Sequence, residues 1–289
     1  MATVHEYAWA KINLYLDVGQ KRADGYHDVV TVMQTVDLSD TVVVTREAGQ
    51  GISLSLSGAA HIPTDSRNTA WRAAEAFLRA VGEEARILID IEKRIPIAGG
   101  LAGGSADAGA VLRAMNRLWG YPFTVEELCT IAGQIGADVP FCTRMGLALA
   151  HGRGDVLTPL STSLVLHILL TNGGEPVSTH LAYEALDEAA TAHFHHTPNG
   201  CITALQSGDK AGLANALYNS FEEVILPTCP EAMRRKNAFL SAGALGALMS
   251  GSGSSVFGIF PDAETAKTVQ KQLPFSTIYV TNQIPQEDR

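Results

Sequence analysis

The chain has 289 residues, 46% of them hydrophobic and 18% charged, and its formal net charge is -9. This composition suits a globular protein, whereas the negative charge argues against a nucleic-acid-binding protein, which needs a basic face. No apolar run reaches the roughly 18 residues of a membrane span, and the first residues lack a signal-peptide pattern. We therefore expect a cytoplasmic location with neither a membrane nor a nucleic-acid partner.

The N-terminal part of the chain alternates apolar and polar side chains, as β-strands do. Strand-like segments are residues 9–16, 29–36, 41–45, 52–56 and 86–93. Helical spacing is found at residues 69–81, where Gly82 stands at the position of a C-terminal cap. A glycine-rich segment then leads into a predicted helix at 105–118, and a second helix is predicted at 125–135.

Strands and helices are also mixed in the rest of the chain. The predicted strands are 147–150, 164–170, one around Leu248, 256–260 and 277–280, and the predicted helices are 181–189, 210–217, 230–242 and 263–273. No internal repeat or long linker separates the halves. We therefore expect an α+β protein with two closely packed domains, 1–155 and 156–289, and a ligand cleft between them.

The strongest functional motif is the glycine-rich segment from Pro96 to Ala106. A loop between a strand and a helix gathers free backbone N–H groups and the positive end of the helix dipole, which together bind phosphate. Glycines allow the close approach of an oxyanion, and Ser105 is able to cap the helix or to offer its hydroxyl to phosphate or Mg²⁺. The alternative is a flexible turn before an ordinary cap.

A second glycine-rich segment, Met249 to Phe260, joins two predicted strands. By itself such a segment is equally typical of a β-hairpin. Together with the first loop, it suggests two amide-rich loops, one from each half, that close on one polyphosphate.

Three polar residues stand out in apolar surroundings. Lys11 and Asn13 have the same parity in a strand, and an inward lysine is costly to bury without an anionic partner. Asp138 follows a helix in Gly136–Phe141 and has apolar neighbours. These features indicate a phosphate-transfer site, although a loop cap is the alternative for Asp138.

Together these elements resemble the GHMP kinase superfamily. Pro96–Ala106 is similar to its central Pro-x-x-x-Gly-Leu-x-x-Ser-Ser-Ala motif, and Met249–Phe257 to its third motif. Five further segments resemble the branch of this superfamily that acts on a cytidyl substrate: Ala10–Leu16, Arg22–His27, Asn68–Ala73, Gly136–Phe141 and Gly152–Asp155.

The resemblance implies a fold and an activity. The fold would be the two-domain GHMP kinase-like α+β fold, with a ribosomal protein S5 domain 2-like N-terminal half, a ferredoxin-like C-terminal half and the active site in the cleft between them. The activity would be transfer of the ATP γ-phosphate, with Mg²⁺, to the 2-hydroxyl of 4-diphosphocytidyl-2-C-methyl-D-erythritol. This reaction belongs to the non-mevalonate pathway to isoprenoids.

The resemblance also implies catalytic roles for two residues. Asp138 would take or orient the proton of the substrate hydroxyl, and Lys11 would keep Asp138 ionised and neutralise the moving phosphoryl group. Residues implied to bind ATP are Asn68 and the whole loop, namely Pro96, Ile97, Ala98, Gly99, Gly100, Leu101, Ala102, Gly103, Gly104, Ser105 and Ala106. The metal ligands are left open, with Ser105 and the ATP phosphates as the candidates.

The implied acceptor site is built from aromatic and polar side chains. Its residues are Asn13, Tyr26, His27, Thr179 and Tyr183. Tyr26 would stack on cytosine, His27 would hydrogen-bond its polar edge, and Tyr183 would close the other face of the base. Asn13 would lie beside the acceptor or its phosphates, and Asn68 near the adenine.

The chain departs from the common motif at two places. Ala102 stands where many relatives have glycine, which is compatible with the turn at a negative φ. Ala106 and Asp107 replace the commoner Ser-Asn, so one hydroxyl that would contact phosphate or Mg²⁺ is missing.

Two other functions stay open at this point. One is a GHMP kinase with another acceptor, such as mevalonate, homoserine or a sugar, against which the Tyr26–His27 pair argues. The other is a catalytically silent nucleotide-binding protein on the same fold, against which the presence of both Lys11 and Asp138 argues. The oligomeric state is not predicted.

Overall fold

The computed structural model describes residues 1–58, 61–97, 99–189 and 193–284. In chain order its N-terminal part contains β1 (Ala2–Lys21), β2 (His27–Glu47), β3 (Gly51–Ser57), α1 (Thr69–Val81), β4 (Arg86–Glu92), α2 (Gly103–Leu118), α3 (Val125–Gly133), α4 (Val139–Arg144), β5 (Leu147–His151) and β6 (Val156–Pro159). The remainder contains β7 (His167–Thr171), α5 (Thr179–Glu188), α6 (Asn199–Ser207), α7 (Lys210–Asn215), β8 (Tyr218–Asn219), α8 (Glu222–Ile225), α9 (Pro230–Ser241), β9 (Gly246–Met249), β10 (Val256–Phe260), α10 (Ala263–Gln272) and β11 (Ile278–Thr281).

A seven-stranded sheet forms the centre of the first half. Its main path is β3-β4-β2-β1-β8, with β5 paired to β2 and β6 paired to β5. Two of its members, β6 and β8, come from beyond the predicted domain boundary at residue 155. This sheet is therefore completed by strands from the C-terminal part of the chain.

Strands β1 and β2 are longer than the sequence pattern predicted. The segments predicted separately at 29–36 and 41–45 form one strand, and β1 begins at Ala2 instead of near Trp9. Their antiparallel ladder shifts register between Trp9 and Lys11 and again between Asn13 and Tyr15. Because β1 is buried on both faces from Ala8 to Val18, its interior lacks the alternation that marks a strand with one solvated face.

Helix α2 is the central helix of the first half. It packs on β1, α1 and α4, and most of its residues between Ala106 and Asn116 are buried. Close approach to α4 depends on Gly109, because a Cβ atom there would lie 2.7 Å from the carbonyl carbon of Cys142. Since Asp138 is the N-cap residue of α4, this contact sets the position of Asp138 relative to α2.

The second half contains a four-stranded antiparallel sheet in the order β11-β7-β10-β9. Helices α9 and α10 pack against it, and Phe239, Phe257 and Phe260 are fully buried in the core. The mixed α+β architecture expected from the sequence is confirmed. No helix in the described parts of the chain is long and apolar enough to cross a bilayer.

We predict that Gly109→Ala lowers the free energy of unfolding by about 1–3 kcal/mol, because overpacking against the α4 backbone outweighs the helix propensity of alanine. Gly133→Ala is the matched control, since a Cβ atom there would meet only Pro140 Cγ at 3.9 Å. Urea denaturation of both variants measures the difference. A Gly109→Ala variant as stable as the control would show that α2 and α4 move apart without a cost in the free energy of unfolding.

Candidate active site

A cleft of about 500 Å³ is lined by residues from both halves of the chain. The lining includes Lys11, Asn13, Asn68, Lys93, Asp107, Asp138, Arg153, Thr179, Tyr183, Phe221, Gly251 and Ser252. It also includes Pro96, Ile97 and Gly99–Ser105, whereas Ala106 is buried behind the loop and Ala98 lies outside the described residues.

The two glycine-rich segments are in direct contact. Gly100 has a φ of +73°, and a Cβ atom there would lie 1.9 Å from the carbonyl oxygen of Ser250. Ser250 Oγ donates to the Gly100 carbonyl at 3.0 Å, and Ser255 N donates to the Gly99 carbonyl at 3.3 Å. Glycine is thus required at position 100 by the contact between the loops as well as by its own conformation.

The start of α2 differs from the sequence prediction. Ala102 is the N-cap residue, with φ 58° and ψ 31°, so the negative φ at which a methyl group is readily tolerated there is not found. The left-handed turn is held in place because Leu101 is buried and its carbonyl accepts a hydrogen bond from Lys11 N at 3.2 Å. The helix begins at Gly103, which places Ser105 in its first turn, and the capping role considered for Ser105 is not observed.

Lys11 lies at the centre of a buried polar network. Its ammonium donates to Asn13 Oδ1 at 2.7 Å and to the Gly100 carbonyl at 3.2 Å, and it lies 3.8 Å from Asp138 Oδ2. Asn13 Nδ2 in turn donates to Thr31 Oγ1 at 2.8 Å. This chain of bonds fixes the ammonium group between the glycine-rich loop and the carboxylate of Asp138.

Asp138 directs its side chain to the cleft and not to its own helix. It is the N-cap residue of α4, yet its side chain makes no capping hydrogen bond. The carboxylate is 39% exposed, compared with 4% for the Lys11 side chain. An acceptor with this exposure next to a fixed cation is accessible to a ligand hydroxyl.

Asn68 has a structural role at the wall of the cleft. As the N-cap residue of α1, its side chain accepts a hydrogen bond from Ala70 N at 2.9 Å and donates to the Pro63 carbonyl at 2.8 Å. Both ends of the amide therefore already have protein partners. Its placement near adenine stays a prediction.

Of the residues that the sequence assigned to the acceptor, Thr179 and Tyr183 line the cleft, and His27 is buried next to Tyr183 without lining it. Tyr183 stacks on the imidazole of His27 with 4.8 Å between ring centroids, and it meets the edge of Phe221 at 4.9 Å. Thr179 Oγ1 is 3.0 Å from Ser252 Oγ, which ties α5 to the second glycine-rich segment.

Tyr26 is placed apart from this group. It is 53% exposed and is not part of the cleft lining, and its ring lies 5.1 Å from the guanidinium carbon of Arg153. No ring contact joins Tyr26 to Tyr183 within the described residues, so the two-sided stacking of a base stays a prediction. Arg153 and Phe221 are lining residues that the sequence analysis missed, although Arg153 lies within the Gly152–Asp155 segment singled out there.

A buried charge cluster below the glycine-rich loop was also missed. Lys93 Nζ donates to Asp107 Oδ2 at 2.6 Å and to Asp40 Oδ2, and Asp40 Oδ1 accepts a hydrogen bond from Ile95 N at 2.8 Å. Burial raises the pKa of Asp107 to about 7, with Lys93 opposing and Asp40 adding to that shift. The cluster fastens the chain just before the loop, and no local pattern reveals it because Asp40 is 53 residues from Lys93.

Within the described residues, no group of three or more His, Cys, Asp or Glu side chains is arranged to hold a metal ion. The residues with side-chain oxygens that line the cleft near the glycine-rich loop include Thr69, Ser105, Asp107 and Asp138. Such a set suits Mg²⁺, which is usually held by one or two protein oxygens together with substrate phosphates.

Comparison with known families and sequences gives consistent results. The family model of the GHMP kinases N terminal domain matches residues 68–146, and that of the GHMP kinases C terminal matches residues 201–277. A 4-diphosphocytidyl-2-C-methyl-D-erythritol kinase of a Synechococcus species is 42% identical over 96% of this chain and 93% of its own. The enzyme of the same name from Gloeobacter violaceus is 42% identical over 93% and 89%.

Comparison with solved structures agrees with these sequence matches. The crystal structure of a 4-(cytidine 5'-diphospho)-2C-methyl-D-erythritol kinase superposes with a TM-score of 0.80 at 31% identity, covering 96% of this chain and 98% of that one. A homoserine kinase from Cytophaga hutchinsonii superposes with a TM-score of 0.77 at 21% identity over 100% and 96%, a likeness of fold alone. The GHMP kinase-like fold expected from the sequence is confirmed.

We predict that Lys93→Met lowers the free energy of unfolding by about 3–5 kcal/mol, because it leaves two buried carboxylates without their shared cation. Asp107→Asn is the comparison variant, since it removes the excess negative charge and keeps the pair between Lys93 and Asp40. We expect it to change stability by less than about 1 kcal/mol or to increase it. Equal destabilisation of both variants in urea denaturation would contradict this account of the cluster.

Proposed function

The chain belongs to the GHMP kinase family, and we propose that it transfers the γ-phosphate of ATP to the 2-hydroxyl of 4-diphosphocytidyl-2-C-methyl-D-erythritol, a step of the non-mevalonate isoprenoid pathway. The relatives that carry this activity in their names match nearly the whole chain at 42% identity. The observation that carries the chemistry is the pair of Lys11 and Asp138, placed beside a glycine-rich loop that opens a helix.

The phosphates of ATP are proposed to lie against the loop from Pro96 to Ala106. The positive end of α2 and the free N–H groups of its first turn favour an anion there. Gly104 leaves room for close approach, because a Cβ atom at that position would meet only Thr69 Oγ1 at 3.3 Å. Bound Mg²⁺ would neutralise phosphate charge, and Ser105 and Asp138, which both line the cleft, would supply protein oxygens to it.

Asp138 is proposed to accept the proton of the acceptor hydroxyl as that oxygen attacks. Its carboxylate is partly exposed and makes no capping bond, so it is free to bind the hydroxyl. The Lys11 ammonium is held 3.8 Å away and would attract the charge that builds up on the transferring phosphoryl group. Asn13 keeps Lys11 in this position through the bond to its Oδ1.

The cytidyl end of the acceptor is proposed to lie near α5. Thr179, Tyr183 and His27 lie together there, and Tyr26 is exposed at the neighbouring turn. Aromatic and polar groups of this kind position a flat base without a large charge. Small alcohols such as homoserine or mevalonate have no base to occupy this end.

The direct test is phosphorylation of the cytidyl substrate, homoserine and mevalonate in parallel, with ADP release as the readout. We expect kcat/KM for the cytidyl substrate to exceed that for the others by at least about a thousandfold, since neither alternative fills the aromatic end of the cleft. Comparable rates for homoserine or mevalonate would refute the proposed acceptor, and absence of turnover with all three would refute kinase activity.

We predict that Asp138→Asn lowers kcat by about two to four orders of magnitude and leaves substrate affinity largely intact, as expected for loss of a general base. Glu126→Gln is the matched control, because Glu126 of α3 pairs at 2.8 Å with Arg144 of α4, the helix that begins at Asp138, but lies outside the cleft lining. Steady-state kinetics measures both variants. A kcat for Asp138→Asn within threefold of the wild type would remove Asp138 from the mechanism.

A further inference from the structure

The imidazole of His27 is held from two directions by one helix. Tyr183 of α5 stacks on its face, with an angle of 20° between the rings. One turn later on α5, Asp187 Oδ1 lies 2.8 Å from His27 Nε2. His27 itself is only 6% exposed, so α5 fixes both the plane and the rotation of a buried ring.

Asp187 also joins the two strands that flank the turn carrying Tyr26. Lys21 Nζ, at the end of β1, donates to Asp187 Oδ2 at 3.0 Å. Lys21 and His27 are opposite each other in the ladder between β1 and β2, with residues 22–26 as the turn between them. One carboxylate therefore receives a hydrogen bond from each side of the base of this turn.

This arrangement determines which nitrogen of His27 carries the proton. Hydrogen bonds from His27 and Lys21 lower the pKa of Asp187. At neutral pH its carboxylate is therefore ionised and accepts hydrogen bonds but donates none. The bond of 2.8 Å then requires a hydrogen on Nε2. Within the described residues no hydrogen bond reaches Nδ1, which in the neutral ring is an acceptor.

We propose that Asp187 is a positioning residue that sets base selectivity, because it holds His27 in the tautomer whose Nδ1 accepts a hydrogen bond from the exocyclic amine of cytosine. Uracil has a carbonyl oxygen at the same position. Two acceptors, this oxygen and His27 Nδ1, would then face each other without a hydrogen between them. This inference rests on the proposed function, in which the cytidyl end of the substrate lies beside His27.

Asp187→Asn is the most informative variant, because Lys21 dictates how the new amide is oriented. The lysine ammonium is a donor only, so the amide oxygen of the asparagine faces Lys21 and its NH₂ group faces His27. Nε2 must then accept, and the proton moves to Nδ1. The variant thus keeps size and hydrogen bonding but presents a donor to the base.

The experiment measures the Kd values of cytidine diphosphate and uridine diphosphate by calorimetry at pH 8, and the protonated nitrogen of His27 by nitrogen-detected NMR. We expect the wild type to prefer the cytidine ligand and to carry the proton on Nε2. In Asp187→Asn the proton should be found on Nδ1, and the preference for cytidine over uridine should fall by about tenfold or more, the usual effect of one mismatched hydrogen bond. The affinity for ATP should stay within about twofold.

Glu184→Gln is the matched control, since Glu184 pairs with His180 on the same helix at 3.2 Å. This pair is far more exposed than the pair of His27 and Asp187. It should leave the ligand preference and the NMR signals of His27 unchanged. A proton on Nδ1 in the wild type, no preference for cytidine in the wild type, or an unchanged preference in Asp187→Asn would each overturn the inference.

These results separate the inference from the proposed function. If the wild type phosphorylates the cytidyl substrate and Asp187→Asn keeps the preference for cytidine over uridine, the proposed function stands and the role of Asp187 is rejected. Failure of the wild type to phosphorylate that substrate would reject the function, and the binding and NMR measurements would still decide the role of Asp187 in reading a cytosine ring.

Discussion

The burial of one ammonium group organises the cleft. Lys11 lies in the middle of β1, where both faces of the strand are covered, and a buried cation is tolerated only when its donors are satisfied. Its partners come from three parts of the chain, namely Asn13 of the same strand, the carbonyl of Gly100, and Asp138 at the start of α4. The Gly100 carbonyl also accepts a hydrogen bond from the hydroxyl of Ser250, so the second half of the molecule is tied to the same point.

The cleft of this acidic protein is suited to an anionic ligand by local features. The cations of the cleft are each held by nearby oxygens, as Lys93 is by Asp40 and Asp107, and Arg153 is by Asp155. Their positions are therefore fixed before a ligand arrives. Backbone N–H groups at the start of α2 add positive potential without adding net charge. The overall charge of -9 is thus compatible with a site for phosphates.

The sequence predicted the features that depend on neighbouring residues. The glycine-rich loop, the parity of Lys11 and Asn13, and most helices follow from local spacing, and the structure brings the loop and both side chains to one cleft. The features that depend on distant contacts were missed or misjudged. The pairing of Lys93 with Asp40 has no local signal, and the positive φ of Ala102 occurs where Leu101 is held by the backbone of Lys11. The partners of His27 and Tyr183 likewise emerge only when α5 is docked on β2.

The pairing of β8 with β1 has a consequence for synthesis on the ribosome. The edge of β1 is covered at Tyr15 and Leu16 by Tyr218 and Asn219, and next to them Ser220 Oγ accepts a hydrogen bond from Val18 N. These partners are translated about two hundred residues after β1 and leave the exit tunnel later still. Until then this part of the edge of β1, from Tyr15 to Val18, stays unpaired and open to association with other chains. The first sheet is therefore completed only after much of the C-terminal half has been synthesised.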